Sequence, residues 1–411
     1  MTYKVRNEPL FLGLTHVGQV FSIGWSERIG KCAVYDFQNQ AIKKFKNYQV
    51  TNEEPSLKKY LKRNYKKIYF CKNAEEIKKY NTIFLTIDTP LTLEGKPKID
   101  KIIAILKKAA NYLRKNCNLI ITSQVYCGFC DELKKTIFKK RPDINLIYLA
   151  ETLIMGKALE RFMKPERIIL GFNRKVKFLN QFKKFNCQVF QLSLKEAEMV
   201  KIAINLFLFT SVTYANVMDY YCRQFGFKFS RINQALRYDQ RIGKKSYISP
   251  SLGISGGHLE RDVHTIIKTS KNPKVKSLFK NLKQVNETRL SLLIKEYQNL
   301  KKKFKFKKVI WIGPSYKSNS FSVVNSPFVK FKKYLKIKRK TLYSFDSFFD
   351  LKKEKINNFL KNLNRITLNK SLLIFNYAST EDQKKIRVFF DKGNCKIISL
   401  NSVNKKYKNL F

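Results

Sequence analysis

Apolar residues recur through the first half of the chain in short runs: Leu10 to Gly13, Cys32 to Asp36, Ile83 to Ile87, Leu119 to Ser123, Leu146 to Ala150 and Ile168 to Gly171. Between them lie stretches whose apolar positions repeat at helical spacing. Strands alternating with amphipathic helices predict an α/β domain built on a parallel sheet. From Leu194 the pattern changes, because no Pro or Gly interrupts the chain until Gly226 and the middle, Ile202 to Tyr214, is apolar nearly all round. This predicts a long helix buried by neighbours or by a second subunit. A Gly-rich stretch, Pro250 to Gly257, then breaks the helical pattern, which resumes from Lys274 to about Lys302. Lys301 to Lys308 reads as a linker, Val309 to Gly313 as a strand, and the rest returns to α/β alternation.

Composition narrows the classes. A chain of 411 residues that is 44% hydrophobic and 14% aromatic is neither disordered nor fibrous. Lys and Arg total 83 against 30 Asp and Glu, a formal charge of +53, which first suggests a polyanionic partner. The basic residues are mostly Lys, run the whole length, and accompany abundant Asn, Ile, Phe and Tyr, so the charge reflects general composition. Clusters such as Lys330 to Lys340 read as solvated surface, and nucleic acid is not the expected partner. No uninterrupted apolar run reaches the roughly 18 residues of a membrane span, and Met-Thr-Tyr-Lys-Val-Arg at the amino terminus lacks a signal peptide's apolar segment. The expectation is a cytoplasmic protein without a membrane span. Eight scattered Cys form no disulfide framework, and Cys127 and Cys130, with only three His in the chain, supply no metal site.

Gly13-Leu14-Thr15-His16-Val17-Gly18 follows the first strand and opens a helix, and Asp36 ends the next strand. This is the arrangement of a dinucleotide fold. Glycines let the chain turn and a pyrophosphate approach the helix amino terminus, while the acid accepts from a ribose hydroxyl. Thr15 stands where the middle glycine of such a turn belongs, and a side chain there is expected to crowd the pyrophosphate.

From here the chain resembles the UDP-glucose/GDP-mannose dehydrogenase family, in order, over about the first 330 residues. Asp88-Thr89-Pro90-Leu91 with Glu94-Gly95-Lys96-Pro97 is similar to the family's Pro-Thr-Pro-Leu and Asp-Gly-Lys-Pro cofactor loop. Glu151 to Ala158, then Pro165-Glu166-Arg167-Ile168, resembles its substrate loop, and Glu196 to Lys201 with Asn205 and Asn216 the start of its central helix. Arg241-Ile242-Gly243 and Pro250 to Asp262 resemble its Arg-Ile-Gly motif and its catalytic Cys loop.

The resemblance implies three domains: a Rossmann-like NAD-binding domain over residues 1–192, a central all-helical dimerisation domain over 193–300, and a smaller carboxy-terminal α/β nucleotide-sugar domain over 301–411. It implies a homodimer and an NAD-dependent oxidation of the hydroxymethyl group of a UDP- or GDP-linked sugar. In that chemistry a Cys thiolate captures the aldehyde so that a second hydride can leave. The catalytic positions carry Glu151, Lys201, Asn205, His258 and Asp262. The cofactor side carries Gly13, His16, Val17, Gly18, Asp36, Thr89, Gln124 and Arg261, and the substrate side Leu153, Arg241, Tyr247, Gly253, Tyr316 and Lys317. Several positions depart from the family. His258 replaces the Cys, Gln124 a Thr, Met155 a Glu, Arg261 a Lys, and Ser322 and Val324 the third domain's Asp and Arg. Two expectations follow: an oxidoreductase restricted to one oxidation step, or a catalytically inactive protein that keeps the fold as a partner in polysaccharide biosynthesis.

Overall fold

The computed structural model describes residues 5–51, 54, 56–90, 97–315, 323, 325–346, 358, 360, 370–376 and 395–400, with the side chain of His258 outside that set. The chain divides into two compact units, Met1–Ile204 and Asn205–Phe411.

The first unit is built on eight strands: β1 (Leu10–Leu12), β2 (Cys32–Tyr35), β3 (Ile68–Phe70), β4 (Thr82–Leu85), β5 (Asn118–Ile121), β6 (Asn145–Leu149), β7 (Arg167–Phe172) and β8 (Gln188–Leu192). Their order is β3-β2-β1-β4-β5-β6-β7-β8, parallel throughout except for the antiparallel pairing of β6 with β7. β1 sits between β2 and β4, so chain direction across the sheet reverses there and leaves a crevice at the carboxyl ends of β1 and β4. The predicted strands all form. β3 and β8 were not foreseen, since they are edge strands whose residues are partly exposed and lack an unbroken apolar run. β1, β2 and β4 are buried at every position, as strands covered on both faces must be. An aromatic cluster fills one face: Trp25 stacks on Phe178 at 5.6 Å and packs against Phe11, Phe84 and Phe182.

In the second unit a four-stranded parallel sheet comprises β9 (Lys308–Ile312), β10 (Leu342–Phe345), β11 (Ser371–Phe375) and β12 (Cys395–Ser399), in the order β10-β9-β11-β12. Trp311 on β9 is fully buried against Phe328 and Phe331 of the helix Pro327–Ile337. The helical run expected from Lys274 to Lys302 is two helices, Pro273–Thr288 and Leu290–Lys303, separated at Arg289. Asn272 caps the first of these by accepting from Lys274 and Val275 N–H, with Pro273 at the first helical position.

The long helix is Leu194–Gln224. Ile202, Phe209, Ala215 and Cys222 are buried, but Phe207 is 71% exposed, Tyr221 55% and Phe225 63%, with Tyr214 and Val217 beside them. The apolar middle is therefore covered on one side only within a single chain. Among the described residues this is the one helix long and apolar enough to cross a membrane, by length and composition, with mean hydropathy 1.3 over its most apolar window.

Candidate active site

The turn after β1 is built as the glycines require. Gly13 has φ +103°, and its N–H donates to Tyr35 O at 2.8 Å. A Cβ on Gly18 would lie 1.8 Å from Gly13 O, so only glycine lets the helix His16–Arg28 start this close to the turn. Val17, also expected at the cofactor, is buried in the first turn of that helix. Asp36 closes the turn from the other side, one oxygen accepting from Leu14 N–H and the other from Gln38 N–H, both at 2.8 Å. The Thr15 hydroxyl donates to Thr86 O at 3.0 Å and accepts from Asp88 N–H at 3.1 Å, which ties the turn to the segment leaving β4. Further along that segment Thr89 donates to Gln124 O at 2.6 Å, bringing two of the expected cofactor residues together.

Two carboxylates that patterning did not single out stand beside this turn. Glu54 is 3% exposed. One of its oxygens lies 3.1 Å from His16 Nε2 and accepts from Gly156 N–H at 2.6 Å, and the other accepts from Ala158 N–H at 3.0 Å. It thereby links the cofactor turn to the segment leading into the helix Ala158–Met163. Asp88 lies next to His16, Thr15 and Val17, and burial raises its acid above the usual carboxylate range against the opposing pull of His16.

The segment after β6 brings Glu151 to Lys201. Glu151 Oε2 is 3.6 Å from Lys201 Nζ, both side chains largely withdrawn from water, while Glu151 Oε1 accepts from Leu153 N–H. Leu153 lines a cavity of about 60 Å³ together with Phe21, Phe162, Phe182 and Phe185. An ammonium held by a carboxylate at this distance can stabilise an oxyanion while a proton moves onto the carboxylate.

The second unit gathers Asn205, Arg261 and Asp262. Asn205 Nδ2 donates to Asp262 Oδ2 at 2.5 Å and Arg261 Nε to Asp262 Oδ1 at 3.2 Å, with all three residues at most 6% exposed. Arg261, expected at the cofactor, is thus held in a buried ion pair. His258 is the first residue of the helix His258–Thr269. The loop before it is clamped: Asn216 Oδ1 accepts from Ser251 N–H at 2.8 Å and Asn286 Oδ1 from Ile254 N–H at 2.5 Å. Arg289, fully buried, donates to Ser251 O and Asn216 O and pairs with Asp219 at 2.9 Å. Gly253 has φ +99°, and a Cβ there would meet Asn286 O at 2.6 Å. Arg241 and Tyr247 are exposed, the former paired locally with Asp239. Tyr316 and Lys317 lie outside the described residues.

Comparison with known proteins bears on this arrangement directly. Residues 10–185 match the NAD-binding domain, and residues 195–288 the central domain, of the UDP-glucose/GDP-mannose dehydrogenase family, together well over half of the chain. The chain belongs to that family. Among its relatives, the UDP-glucose 6-dehydrogenase of Rickettsia bellii is 24% identical, covering 82% of this chain and 80% of its own. The UDP-glucose 6-dehydrogenase of Campylobacter jejuni is 27% identical, covering 80% and 89%. A solved UDP-glucose dehydrogenase from the hyperthermophilic archaeon Pyrobaculum islandicum shares the fold, with a TM-score of 0.85 at 20% identity over 100% of this chain and 98% of that one.

For this UDP-glucose/GDP-mannose dehydrogenase family member the cofactor is NAD, as for the other dehydrogenases of the family. The turn has features NAD needs: a glycine at 18 that no larger residue can replace, a helix that starts at His16 directly after the turn, and Asp36 at the end of β2. Of the residues expected at the cofactor, Gly13, His16, Val17, Gly18 and Asp36 lie together at this turn, and Thr89 is hydrogen-bonded to Gln124 O. What patterning missed was tertiary. Glu54 lies in no motif, and Arg289 sits inside a helical run where nothing in the sequence marks it as buried. Asp88 did carry a signal, an acid where the family's loop has Pro.

Proposed function

We propose that this dehydrogenase oxidises a hydroxymethyl group of a nucleotide sugar to the aldehyde and goes no further. The observation that supports a single step is His258, which heads the helix His258–Thr269 at the position from which the family's thiolate attacks. The sequence holds no Cys between Cys222 and Cys395, so no neighbouring position of the loop supplies the sulfur. Bound NAD accepts the hydride. Lys201 Nζ stabilises the developing alkoxide, assisted by the Asn205 amide one helical turn further on, and Glu151 Oε2 takes up the hydroxyl proton. Asp262 holds the Asn205 amide in place. One alcohol therefore yields one aldehyde, one hydride to the cofactor and one proton to the protein. Without a thiohemiacetal there is no thioester, and the aldehyde or its hydrate is the product.

Replacing His258 with Cys tests the proposal. If the other groups are in place, the variant releases a second NADH per sugar and a uronic acid, and a variant that still stops at the aldehyde would show that the missing sulfur is not what limits the reaction.

The protein is further proposed to act as a homodimer through the exposed stripe Phe207, Tyr214, Val217 and Tyr221, whose spacing of seven, three and four places it along one face of the long helix, with exposed Phe225 just past the helix end. A second copy of the same chain offers the matching surface. The same helix carries buried Asn205, Asn216 and Asp219, the last in an ion pair with Arg289, which supports a packing helix over a membrane span. Phe207→Asp with Tyr221→Asp should give a monomer by light scattering, and an unchanged mass would remove this interface.

A further inference from the structure

We infer that Glu54 is a positioning residue that couples the cofactor turn to the loop carrying Glu151, so that NAD bound at the turn orders the backbone of Gly156 and Ala158 through this one carboxylate. The inference rests on the NAD assignment and concerns an acid that the proposed oxidation step does not itself use.

Glu54 is carried by backbone tied to the helix His16–Arg28. Before it, Thr51 N–H donates to Gln19 Oε1 at 2.8 Å, and after it Leu57 N–H donates to Glu54 O at 3.1 Å where the helix Leu57–Asn64 begins. That helix is bound back to the first through Glu27, one oxygen of which accepts from Asn64 Nδ2 at 2.5 Å and from Arg63 Nε at 3.1 Å. The Glu54 side chain is 2% exposed and meets three donors. A carboxylate only accepts, so the proton in the 3.1 Å contact with His16 sits on Nε2 and points at Oε1. The same oxygen accepts from Gly156 N–H at 2.6 Å, and Oε2 accepts from Ala158 N–H at 3.0 Å. His16 and Gly156, far apart in the chain, thus share one buried atom.

The receiving segment is shaped for this contact. Gly156 has φ +85°, a conformation that favours glycine, in a turn closed by Lys157 N–H to Ile154 O at 2.8 Å. Ala158 is fully buried and begins the helix Ala158–Met163. At the other end of the loop Ala150 N–H donates to Ile169 O of β7 at 3.1 Å. Glu151 and Leu153 therefore sit on a stretch fixed by the sheet at one end and by Glu54 at the other. A pyrophosphate at the start of the helix His16–Arg28 restrains His16, its first residue, and whatever restrains the imidazole restrains the oxygen it shares with Gly156. Ordering supplied by one ligand lowers the ordering cost met by the next, so a sugar that settles the loop also tightens NAD.

Hydrogen–deuterium exchange on the full chain, with and without saturating NAD, tests this. In the unmodified chain NAD should slow exchange of the Gly156 and Ala158 amides about tenfold, within the roughly 5–150-fold that couplings between sites usually span. Two variants cut the link at its two ends. His16→Ala leaves both backbone bonds to Glu54 in place, and Glu54→Gln offers one acceptor oxygen to three donors. With NAD raised until each variant is saturated, the slowing at Gly156 and Ala158 should vanish in both. A Glu54 that only braces the fold would raise exchange without NAD and leave the NAD-dependent factor intact. If Glu54→Gln does not fold, His16→Ala carries the test. No slowing in an unmodified chain that binds NAD, or a factor unchanged in saturated His16→Ala, would overturn the inference while leaving the NAD assignment standing. Absence of NAD binding by the unmodified chain would overturn both.

Discussion

Removing the Asp262 carboxylate should destabilise the second unit far more than a surface acid would. Arg261, 2% exposed, would be left as a buried cation without this partner, and the Asn205 amide would lose an acceptor 2.5 Å away. Breaking a buried pair from one side typically costs about 3–5 kcal/mol, because the surviving charge keeps its desolvation penalty and loses its compensation. With a urea dependence of about 2–3 kcal/mol per molar, Asp262→Ala should move the unfolding midpoint down by about 1–2 M. The chain supplies a local reporter, since its two Trp fall one in each unit and both are buried, Trp25 at 2% and Trp311 at 0%. In a Trp25→Phe background the emission of Trp311 follows the second unit alone. The double variant Asp262→Ala with Arg261→Met removes the stranded charge and should recover much of the lost stability, while hydride transfer stays impaired because Asn205 is no longer held. A midpoint shift below about 0.3 M for Asp262→Ala, or a double variant no more stable than the single one, would refute this account of the cluster.

Two further outcomes are expected in the first unit. Gly18→Ala places a Cβ 1.8 Å from a backbone oxygen that no rotamer change can move, and should cost about 1–3 kcal/mol or more and abolish NAD-dependent thermal stabilisation; a variant with an unchanged melting temperature and NAD shift would contradict the turn geometry. Asp143 is held down to about 2 by hydrogen bonds from Arg141, reinforced by the Asn116 N–H, so its contribution is present above its unfolded range near 4 and is lost as pH falls toward 2. Asp143→Asn should therefore lower the melting temperature of the first unit at pH 6 by the equivalent of about 1–2 kcal/mol, with the difference from the unmodified chain vanishing near pH 2, and a difference that is the same at both pH values would rule the ion pair out as its cause.

The interior of the first sheet was legible because buried parallel strands must be apolar at nearly every position, and β1, β2 and β4 to β7 all carry such runs. β3 and β8 were not, since an edge strand needs only one covered side. The long helix was legible as a helix, and its apolar middle was expected to be buried by neighbours or by a second subunit; within the single chain Phe207 of that middle faces outward. Of the site, Glu151 with Lys201 and Asn205 with Asp262 were each expected from aligned motifs and each lie together. Glu54 and Arg289 could not be found this way. Each acts on segments far away in the chain, Glu54 on Gly156 and Ala158 and Arg289 on Asn216 and Ser251, and no local pattern records such a contact.

The central claim is that a family member with His258 in place of the thiol carries out one oxidation, and the ratio of NADH formed to nucleotide sugar consumed measures this most directly. With a panel of UDP- and GDP-linked sugars at limiting concentration, the account predicts one NADH per sugar and an aldehyde that a hydrazine reagent traps; two NADH per sugar with a uronic acid as product would contradict it.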